Sequence, residues 1–359
     1  MSHLSKFQQA LRENGFDAAI VSDPLNQRYL SDFSFHDGLL LVTSKESYLI
    51  TDFRYEEAAR AQASKELTVV TPTGGQLLFV AGLLADNAAK KVAVEEAALS
   101  LAQYNRYTEI LRDYTLTPGA SKLLETLRLC KDEGELETIA RAQAITDAAF
   151  SHILSTIHPE MTEVDVALEL EFFMRKNGAE GLAFETIAVS GTNSSRPHGV
   201  PRRQKLEKGF LTMDYGARVD GYCSDMTRTV VIGKADAEIK KVYNTVLQAQ
   251  TAAIEALQAG LNCRKADKIA RDIIDGAGYK GCFGHSLGHG VGLYIHENPR
   301  LSFAAGENDV LCPGHVVTAE PGIYIEGKYG CRIEDMIGIL PDGTAHDFTK
   351  SRKDLIELF

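Results

Sequence analysis

Acidic residues lie at the ends of strand-like runs or beside them in the second half of the chain, and this feature restricts which folds the chain can adopt. Asp214 directly follows Leu211-Thr212-Met213, a run with strand character. Burying a carboxylate at the end of a strand costs free energy unless the group is paired or binds a metal ion. Asp225 follows beyond a turn through Asp220-Gly221, so the two aspartates could face each other on a hairpin. By themselves, both residues also fit an ordinary role as turn formers.

A glycine-rich segment supplies the strongest single motif. It reads His285-Ser286-Leu287-Gly288-His289-Gly290-Val291-Gly292, and a third histidine, His296, follows it. The segment is not the helical H-E-x-x-H zinc motif, because serine replaces the glutamate and glycine disfavours a helix. One histidine would be interpreted as a packed or surface residue. Three of the chain's 10 histidines in so short a stretch indicate a binding or catalytic site instead.

Two glutamates have similar surroundings. Glu320 lies between the apolar run Val316-Val317-Thr318-Ala319 and Pro321-Gly322, which restricts its backbone, and Glu334 lies directly before another apolar run. Arg332 precedes Glu334 by two positions, and residues two apart on a strand share a face. An ion pair between these two side chains is the simplest interpretation, and such a pair contributes little when it is exposed.

The order of helix-like and strand-like segments predicts two domains. A chain of 359 residues exceeds a usual domain of about 100–200 residues. Alternating strands and helices predict an α/β domain over residues 1–122, with a first helix at Leu4–Asn14. The rest, 123–359, shows two helices, then strands, then two helices, then strands, which predicts an α+β domain of duplicated α/β units. The four helices are predicted at Leu136–Ile157, Thr162–Asn177, Asp236–Ala259 and Arg264–Ala277.

Composition excludes several classes of function. The formal net charge of −11 argues against nucleic acid and anionic membranes as partners. No apolar stretch reaches the roughly 18 residues of a membrane helix, and the N-terminus does not resemble a signal peptide. The six cysteines form no C-x-x-C pair, which is typical of reduced thiols. Together these features predict a cytoplasmic enzyme.

The acidic and histidine motifs, taken in order, resemble those of the pita-bread metallopeptidases, which include methionine aminopeptidase, aminopeptidase P and prolidase. The resemblance covers essentially the whole chain and implies a creatinase-type N-terminal domain followed by a pita-bread catalytic domain with pseudo-twofold duplicated units. It implies two divalent metal ions, with Mn expected and Co, Fe or Zn as alternatives. The implied metal ligands are Asp214, Asp225, His289, Glu320 and Glu334. By resemblance Asp225 and Glu334 bridge the ions, Asp214 binds one ion, and His289 and Glu320 bind the other.

The resemblance is closer to the proline-directed members than to methionine aminopeptidase. His285, Arg332 and the loop Asn193-Ser194-Ser195-Arg196-Pro197-His198-Gly199 match features of those enzymes. The implied reaction is hydrolysis of the bond between an N-terminal residue and a following proline, so the substrates are peptides with proline at the second position. The resemblance also implies that the enzyme is a homodimer. Glu320 would transfer the water proton, while His198 and His296 would stabilise the oxyanion and the leaving nitrogen. His285 would shape the proline pocket, and Arg332 would hold Glu334 or bind substrate.

The sequence is compatible with two alternative functions. A strict Xaa-Pro dipeptidase, or prolidase, must bind the free carboxylate of its substrate, and Arg300 and Arg332 are candidates for that contact. The run Gly221–Thr229 resembles short bacterial aminopeptidases and favours the aminopeptidase. The second alternative is a metal-free binding module on the same fold, because some relatives of this family lack the metals. All five implied ligands are present here, which favours the enzyme.

Overall fold

The computed structural model describes residues 1–359 and divides into two compact units, Met1–Arg128 and Leu129–Phe359. The first unit contains one six-stranded mixed sheet in the order β4-β3-β2-β1-β5-β6. Its strands are β1 Ala18–Val21, β2 Leu39–Thr43, β3 Ser47–Ile50, β4 Thr68–Val70, β5 Lys91–Val94 and β6 Thr115–Pro118. Its helices are α1 His3–Glu13, α2 Pro24–Ser31, α3 Phe53–Gln62, α4 Gln76–Asp86, α5 Leu101–Ile110 and α6 Ala120–Leu129. The α/β class expected for this unit is confirmed, and the domain limits 1–122 and 123–359 stay a prediction.

Helix α2 shows how a turn signal can conceal a helix start. The pair Asp23-Pro24 is typical of a turn that ends a strand, yet α2 begins there. The Asp23 side chain accepts hydrogen bonds from the amides of Leu25 and Asn26, at 2.9 Å and 3.1 Å. Proline is well suited to the first helical position, because its fixed φ matches the helix and its missing N–H would have no partner there. The same two residues therefore end one element and begin the next.

The second unit repeats one arrangement of helices and strands. Its helices are α7 Glu133–Thr156, α8 Glu163–Lys176, α9 Ala237–Ala256 and α10 Cys263–Ile274. Its first strands are β7 Gly181–Leu182, β8 Ile187–Ser190, β9 Gly209–Tyr215, β10 Ala217–Val219, β11 Tyr222–Cys223 and β12 Met226–Ile232. Its later strands are β13 Gly288–Gly290, β14 Glu297–Leu301, β15 Val316–Ala319, β16 Gly322–Ile325, β17 Tyr329–Arg332, β18 Asp335–Ile339, β19 Ala345–Asp347 and β20 Glu357–Leu358.

Each pair of helices packs on its own sheet, which confirms the predicted duplication. Helices α7 and α8 bury Ile153 and Leu170 against Leu211 and other residues of the sheet β20-β12-β9-β8. Helices α9 and α10 bury Val246 and Ala270 with residues of the sheet β14-β13-β15-β18-β19. A fully buried aliphatic side chain contributes about 1.5–3 kcal/mol. The two helix pairs therefore fix two sheets whose strand ends supply the acidic residues.

A tight hairpin brings the two aspartates to one face. Strands β10 and β11 pair across Asp220-Gly221, and both turn residues have positive φ, 46° and 86°. Such a two-residue turn matches the twist of the paired strands. The following strand β12 then pairs with β9 so that Thr227 lies opposite Asp214. Opposed residues share a face, as do residues two apart, so Asp225 and Asp214 are directed to the same side as predicted.

None of the helices combines the length and the apolar character that crossing a lipid bilayer requires. The six cysteines are free thiols, in agreement with the absence of any C-x-x-C pair. Cys223 and Cys331 are buried, and burial raises the pKa of each thiol to about 12. Both residues therefore act as small apolar side chains beside the acidic residues.

Candidate metal centre and catalytic pocket

One cavity of about 960 Å³ collects every residue that the sequence singled out. Its walls come from strands of both sheets and from the loops that follow them. The ten predicted residues that line it are His198, Asp214, Asp225, His285, His289, His296, Arg300, Glu320, Arg332 and Glu334. These residues are spread over more than a third of the chain, so only the packing of the two sheets brings them together.

Thr227 connects the two halves of the acidic group. Its hydroxyl donates to Glu334 Oε2 at 2.6 Å, and its carbonyl accepts from the Glu334 amide at 3.1 Å. The carbonyl of Glu334 accepts in turn from Arg228 at 2.6 Å. Arg228 also forms a buried ion pair with Asp335 at 2.7 Å. Glu334 lies outside any strand, so these contacts, rather than a sheet ladder, determine where its carboxylate points.

His289 reaches the acidic group because glycines on both sides of it permit close packing. A Cβ on Gly288 would lie 2.0 Å from the carbonyl oxygen of Thr318, and one on Gly290 would lie 2.2 Å from that of Asn298. The Thr318 hydroxyl accepts from the His289 amide at 3.1 Å and donates to Glu320 Oε1 at 3.2 Å. Glycine is therefore required at both positions, and Thr318 aligns the histidine with the glutamate.

The hydrogen bonds of His289 identify which ring nitrogen is free to bind a ligand. Nδ1 lies 3.1 Å from the Gly290 carbonyl oxygen, which can only accept, so Nδ1 carries the proton. Nε2 lies 3.5 Å from Asp225 Oδ2 and 3.3 Å from Glu320 Oε1. Burial lowers the pKa of His289 to about 3, so the ring is neutral. A lone pair then faces two carboxylates, an arrangement that a cation between them would stabilise.

The pKa values of the acidic groups reflect the same crowding of charge. Burial, reinforced by repulsion from Asp214 and Glu320, raises the pKa of Asp225 well above its usual range. The pKa of Glu334 is also well above its usual range, because of burial and of repulsion from Asp225. Burial raises the pKa of Glu320 to about 8. Four carboxylates in one buried site are thus unfavourable as anions unless positive charge compensates them.

The donor set fits divalent metal ions. Ligand atoms of Asp225, His289 and Glu334 all lie within 4.8 Å of one another. Asp214 Oδ1 is buried and has no hydrogen-bond partner, although a buried carboxylate oxygen normally has one. Carboxylate oxygens with one neutral imidazole are a suitable ligand set for hard or borderline ions such as Mn²⁺. The residues present therefore fit the predicted metal centre.

Arg332 is the positive charge that lies closest to the acidic group. Its Nη2 donates to Asp214 Oδ2 at 2.6 Å, and its Nε donates to the Thr227 hydroxyl at 2.9 Å. Its Nη1 donates to the Tyr324 hydroxyl at 2.6 Å and to the Pro197 carbonyl at 3.3 Å. The sequence suggested that Arg332 holds Glu334 or binds substrate, whereas its hydrogen bond to a carboxylate joins it to Asp214 on β9.

The three remaining histidines take different positions around the cavity. His285 uses both ring nitrogens within the protein, Nδ1 with the Ser286 carbonyl at 2.9 Å and Nε2 with the Tyr324 hydroxyl at 3.0 Å. It can therefore meet a bound molecule only through its ring face or edge. His296 is exposed to the cavity and packs edge-on against His289, with ring centroids 4.5 Å apart. His198 is also exposed, so both imidazoles are accessible to a substrate.

Three residues that support the site were not identified from the sequence. Thr227 bonds Glu334, Thr318 bonds Glu320, and Tyr324 joins His285 to Arg332. Two of them offered a weak signal, since Thr227 and Thr318 lie two residues from Asp225 and Glu320 on the same strand runs. Tyr324 offered none, because its role depends on the hairpin formed by β16 and β17.

Comparison with known families assigns a description to each unit. Residues 137–340 match metallopeptidase family M24, and residues 3–130 match the creatinase/prolidase N-terminal domain. The uncharacterized peptidase YqhT of Bacillus subtilis is 38% identical over 356 residues, which cover 99% of this chain and 99% of that protein. These matches agree with the fold of the two units.

Two solved structures are similar over nearly the whole chain. The Xaa-Pro dipeptidase from Bacillus anthracis has a TM-score of 0.94 and 42% identity, covering 99% of each chain. The X-Pro aminopeptidase from Thermotoga maritima has a TM-score of 0.90 and 35% identity, covering 98% of this chain and 100% of that one. The similar structures thus include both kinds of proline-directed activity.

Proposed function

The chain belongs to metallopeptidase family M24 and is a hydrolase, and we propose that it cleaves the bond between an N-terminal residue and a following proline. One observation carries the proposal. Four carboxylates and the free nitrogen of His289 converge in a cavity that also presents two exposed imidazoles. The relatives named for Xaa-Pro hydrolysis support the choice of substrate. Proline lacks the amide N–H that many peptidases bind, which is why a dedicated pocket is needed.

The proposed metal ligands are Asp214, Asp225, His289, Glu320 and Glu334. Two divalent ions, for which we propose Mn²⁺, would polarise the scissile carbonyl and lower the pKa of a bound water to near neutrality. The chain itself supplies the shape of the site. Thr227 and Thr318 hold the carboxylates of Glu334 and Glu320 in place, and partners of this kind strengthen metal binding about 10-fold to 100-fold.

Glu320 is the proposed proton carrier. Its Oε1 lies at the cavity wall and accepts from Thr318, and burial favours its protonated form. A carboxylate in such surroundings can accept a proton from the attacking water and deliver it to the departing proline nitrogen. His198 and His296 would donate hydrogen bonds to the developing oxyanion and stabilise the leaving nitrogen. His285, whose ring nitrogens are already bonded, would contact the proline ring by its apolar edge.

Arg300 separates the two candidate specificities. It lines the cavity, and it lies opposite His289 in the pairing of β13 with β14. An exposed guanidinium in that position could bind the free carboxylate of a dipeptide. The second candidate function, a strict Xaa-Pro dipeptidase, rests on this residue and on the similarity to the Bacillus anthracis dipeptidase. We propose the aminopeptidase first, because the cavity of about 960 Å³ leaves room for a longer peptide.

A product assay distinguishes these activities. Purified protein with added Mn²⁺ is incubated with Ala-Pro, Ala-Pro-Ala and Met-Ala-Ser, and the products are identified by mass spectrometry. Release of alanine from Ala-Pro-Ala supports the aminopeptidase, and cleavage of Ala-Pro alone supports the dipeptidase. Release of methionine from Met-Ala-Ser would refute proline specificity. Cleavage that is unchanged after chelation would refute the metal centre.

A homodimer and a cytoplasmic location stay predictions. The first is tested by light scattering after size exclusion, where a dimer has twice the mass of the 39.3 kDa chain. A monomer with full activity on Ala-Pro-Ala would show that dimer formation is not needed for catalysis. The binding-module alternative predicts no hydrolysis of any peptide with any divalent ion, and the product assay tests it directly.

A further inference from the structure

A buried carboxylate outside the acidic group accepts six hydrogen bonds. Glu163 begins helix α8 and has 0% relative exposure. Its Oε1 accepts from the amide and hydroxyl of Ser190, at 2.7 Å and 2.9 Å, and from Arg202 Nη2 at 2.8 Å. Its Oε2 accepts from Asn193 Nδ2 at 2.9 Å and from the amide and Nε of Arg202, at 2.8 Å and 3.0 Å. Both oxygens are thus fully engaged.

These donors belong to the two ends of a single segment. Ser190 ends strand β8 and Asn193 follows it, whereas Arg202 lies at the far end of the loop. We call residues 191–201 the pocket loop. Further bonds join its ends, because Asn193 Nδ2 donates to the Val200 carbonyl at 3.1 Å. The backbone of α8 contributes as well, since the Val164 amide donates to the Arg202 carbonyl at 3.3 Å. Glu163 therefore closes the pocket loop at its base.

The pocket loop forms one wall of the catalytic cavity. Its lining residues run from Pro197 to Pro201 and include His198. The side chain of His198 is exposed and forms no hydrogen bond of its own to hold it in place. Across the cavity, Arg332 donates to the Pro197 carbonyl at 3.3 Å. The position of His198 therefore depends on the backbone of the pocket loop, whose two ends are joined by the hydrogen bonds of Glu163 and Arg202.

We propose that Glu163 is a positioning residue for His198, acting through the pocket loop. The inference rests on the proposed function, since it assigns Glu163 a part in the same reaction. A displacement of about 1 Å at a catalytic group can reduce the rate on the order of 100-fold. The ionised form of Glu163 is stabilised by the N-terminus of the 14-residue helix α8 and by the guanidinium of Arg202.

Only an ionised carboxylate satisfies this set of donors. Burial alone would raise the pKa of Glu163, but the hydrogen bonds from Arg202 and the Ser190 amide hold its pKa below the usual value. Each oxygen accepts three bonds, and the NH₂ group of a glutamine can accept none. Glu163→Gln therefore preserves the size of the side chain but places an NH₂ group against three hydrogen-bond donors, and those three hydrogen bonds are lost.

The main experiment compares Glu163→Gln with Glu171→Gln, which changes the same residue type on the same helix away from the pocket loop. With Ala-Pro-Ala and Mn²⁺, Glu163→Gln is expected to lower kcat about 10-fold to 100-fold with KM changed less than about 3-fold. Glu171→Gln is expected to match the wild type. A fall in kcat no larger than that of the control would overturn the proposal.

A double-mutant cycle separates positioning from general damage to the fold. If Glu163 acts through His198, Glu163→Gln added to His198→Ala is expected to lower kcat by less than about 2-fold further. Full additivity of the two substitutions would mean that Glu163 acts elsewhere and would refute the proposal. Wild-type activity in His198→Ala would refute it as well.

Limited digestion with trypsin tests the pocket loop without relying on catalysis. Arg203 is exposed, directly follows Arg202 at the end of the loop, and precedes Gln204, so trypsin can cleave there. Glu163→Gln is expected to raise the cleavage rate at Arg203 at least about 10-fold, well below the unfolding temperature. If the wild type hydrolyses no Xaa-Pro peptide, the proposed function fails while this measurement still reports on the loop. Unchanged cleavage would refute the anchoring.

If Glu163→Gln does not fold, Arg202→Lys replaces it in these experiments, with the same expected results. Lysine keeps the positive charge but loses the paired guanidinium contact with Glu163.

Discussion

Arg332 and Asp214 form an ion pair at 2.6 Å in which the arginine side chain is only 3% exposed. Asp214 lies on β9 and Arg332 ends β17, so the pair joins two sheets of the second unit. It occupies one carboxylate oxygen of Asp214 and leaves the other, Oδ1, buried without a hydrogen-bond partner. The arginine therefore holds one oxygen of the aspartate and leaves the other available to the proposed metal ions.

Replacing Arg332 should therefore destabilise the fold as well as the site. Removing one partner of a buried ion pair costs roughly 3–5 kcal/mol, because the other charge is left without compensation. We expect Arg332→Met to lower the free energy of unfolding by that amount in metal-free protein, measured by urea denaturation. The control is Arg60→Met, which removes an exposed pair with Glu56 and should cost about 0–1 kcal/mol. Equal losses in the two variants would contradict the expectation.

Thr227→Val tests the contribution of a hydroxyl to metal binding. Valine keeps the shape of threonine but cannot donate to Glu334 or accept from Arg332. We expect the affinity for Mn²⁺, measured by calorimetric titration, to fall about 10-fold to 100-fold. Thr245→Val serves as the control, because Thr245 bonds only the backbone of its own helix α9. Wild-type affinity in Thr227→Val would show that the hydroxyl does not orient a ligand.

The pH dependence of stability should contain a contribution from His315. Burial, with the charge of Lys131, lowers its pKa from 6.5 to about 4, and its Nδ1 accepts from the Cys312 amide at 3.2 Å. Below pH 6.5 the unfolded chain gains a proton that the folded chain does not. The contribution of His315 to the free energy of unfolding is therefore fully present above pH 6.5 and is lost as the pH falls toward 4. Its magnitude is on the order of 3 kcal/mol.

Urea denaturation at several pH values between 4 and 7 measures this contribution. The variant His315→Asn keeps an acceptor for the Cys312 amide but cannot titrate in this range, so its stability should fall less steeply with acid. His158→Asn, which changes an exposed histidine, should follow the wild type. If His315→Asn and the wild type lose stability in parallel, His315 does not carry the effect.

Substrate length should reveal what Arg300 binds. If its guanidinium contacts the carboxylate of a dipeptide, Arg300→Met should raise KM for Ala-Pro about 10-fold to 100-fold. The KM for Ala-Pro-Ala should change far less, because its terminal carboxylate lies one residue further away. Arg106→Met, an exposed arginine of the first unit, provides the control. An equal change in KM for both substrates would show that Arg300 does not bind the carboxylate of the dipeptide.

Local sequence patterns were sufficient to predict much of the fold. The helix expected at Thr162–Asn177 is α8, and Thr162 and Asp165 form a capping box at its start. Such features depend on residues three or four positions apart, so they can be recognised along the chain. The start of helix α2 is ambiguous along the chain, because Asp23-Pro24 is compatible with both a turn and a helix start, and only the packing of the following residues decides between them.

The sequence by itself determined the types of chemical group in this protein: four acids, a set of histidines and two arginines. Their convergence was decided by the tertiary structure, because Asp214 and Glu334 lie far apart in the chain and meet only where two sheets pack together. The partner of Arg332 was decided in the same way. A strand pattern places Arg332 near Glu334, but a charge in a low-dielectric interior pairs with the opposite charge that lies nearest in space, and the fold places Asp214 there.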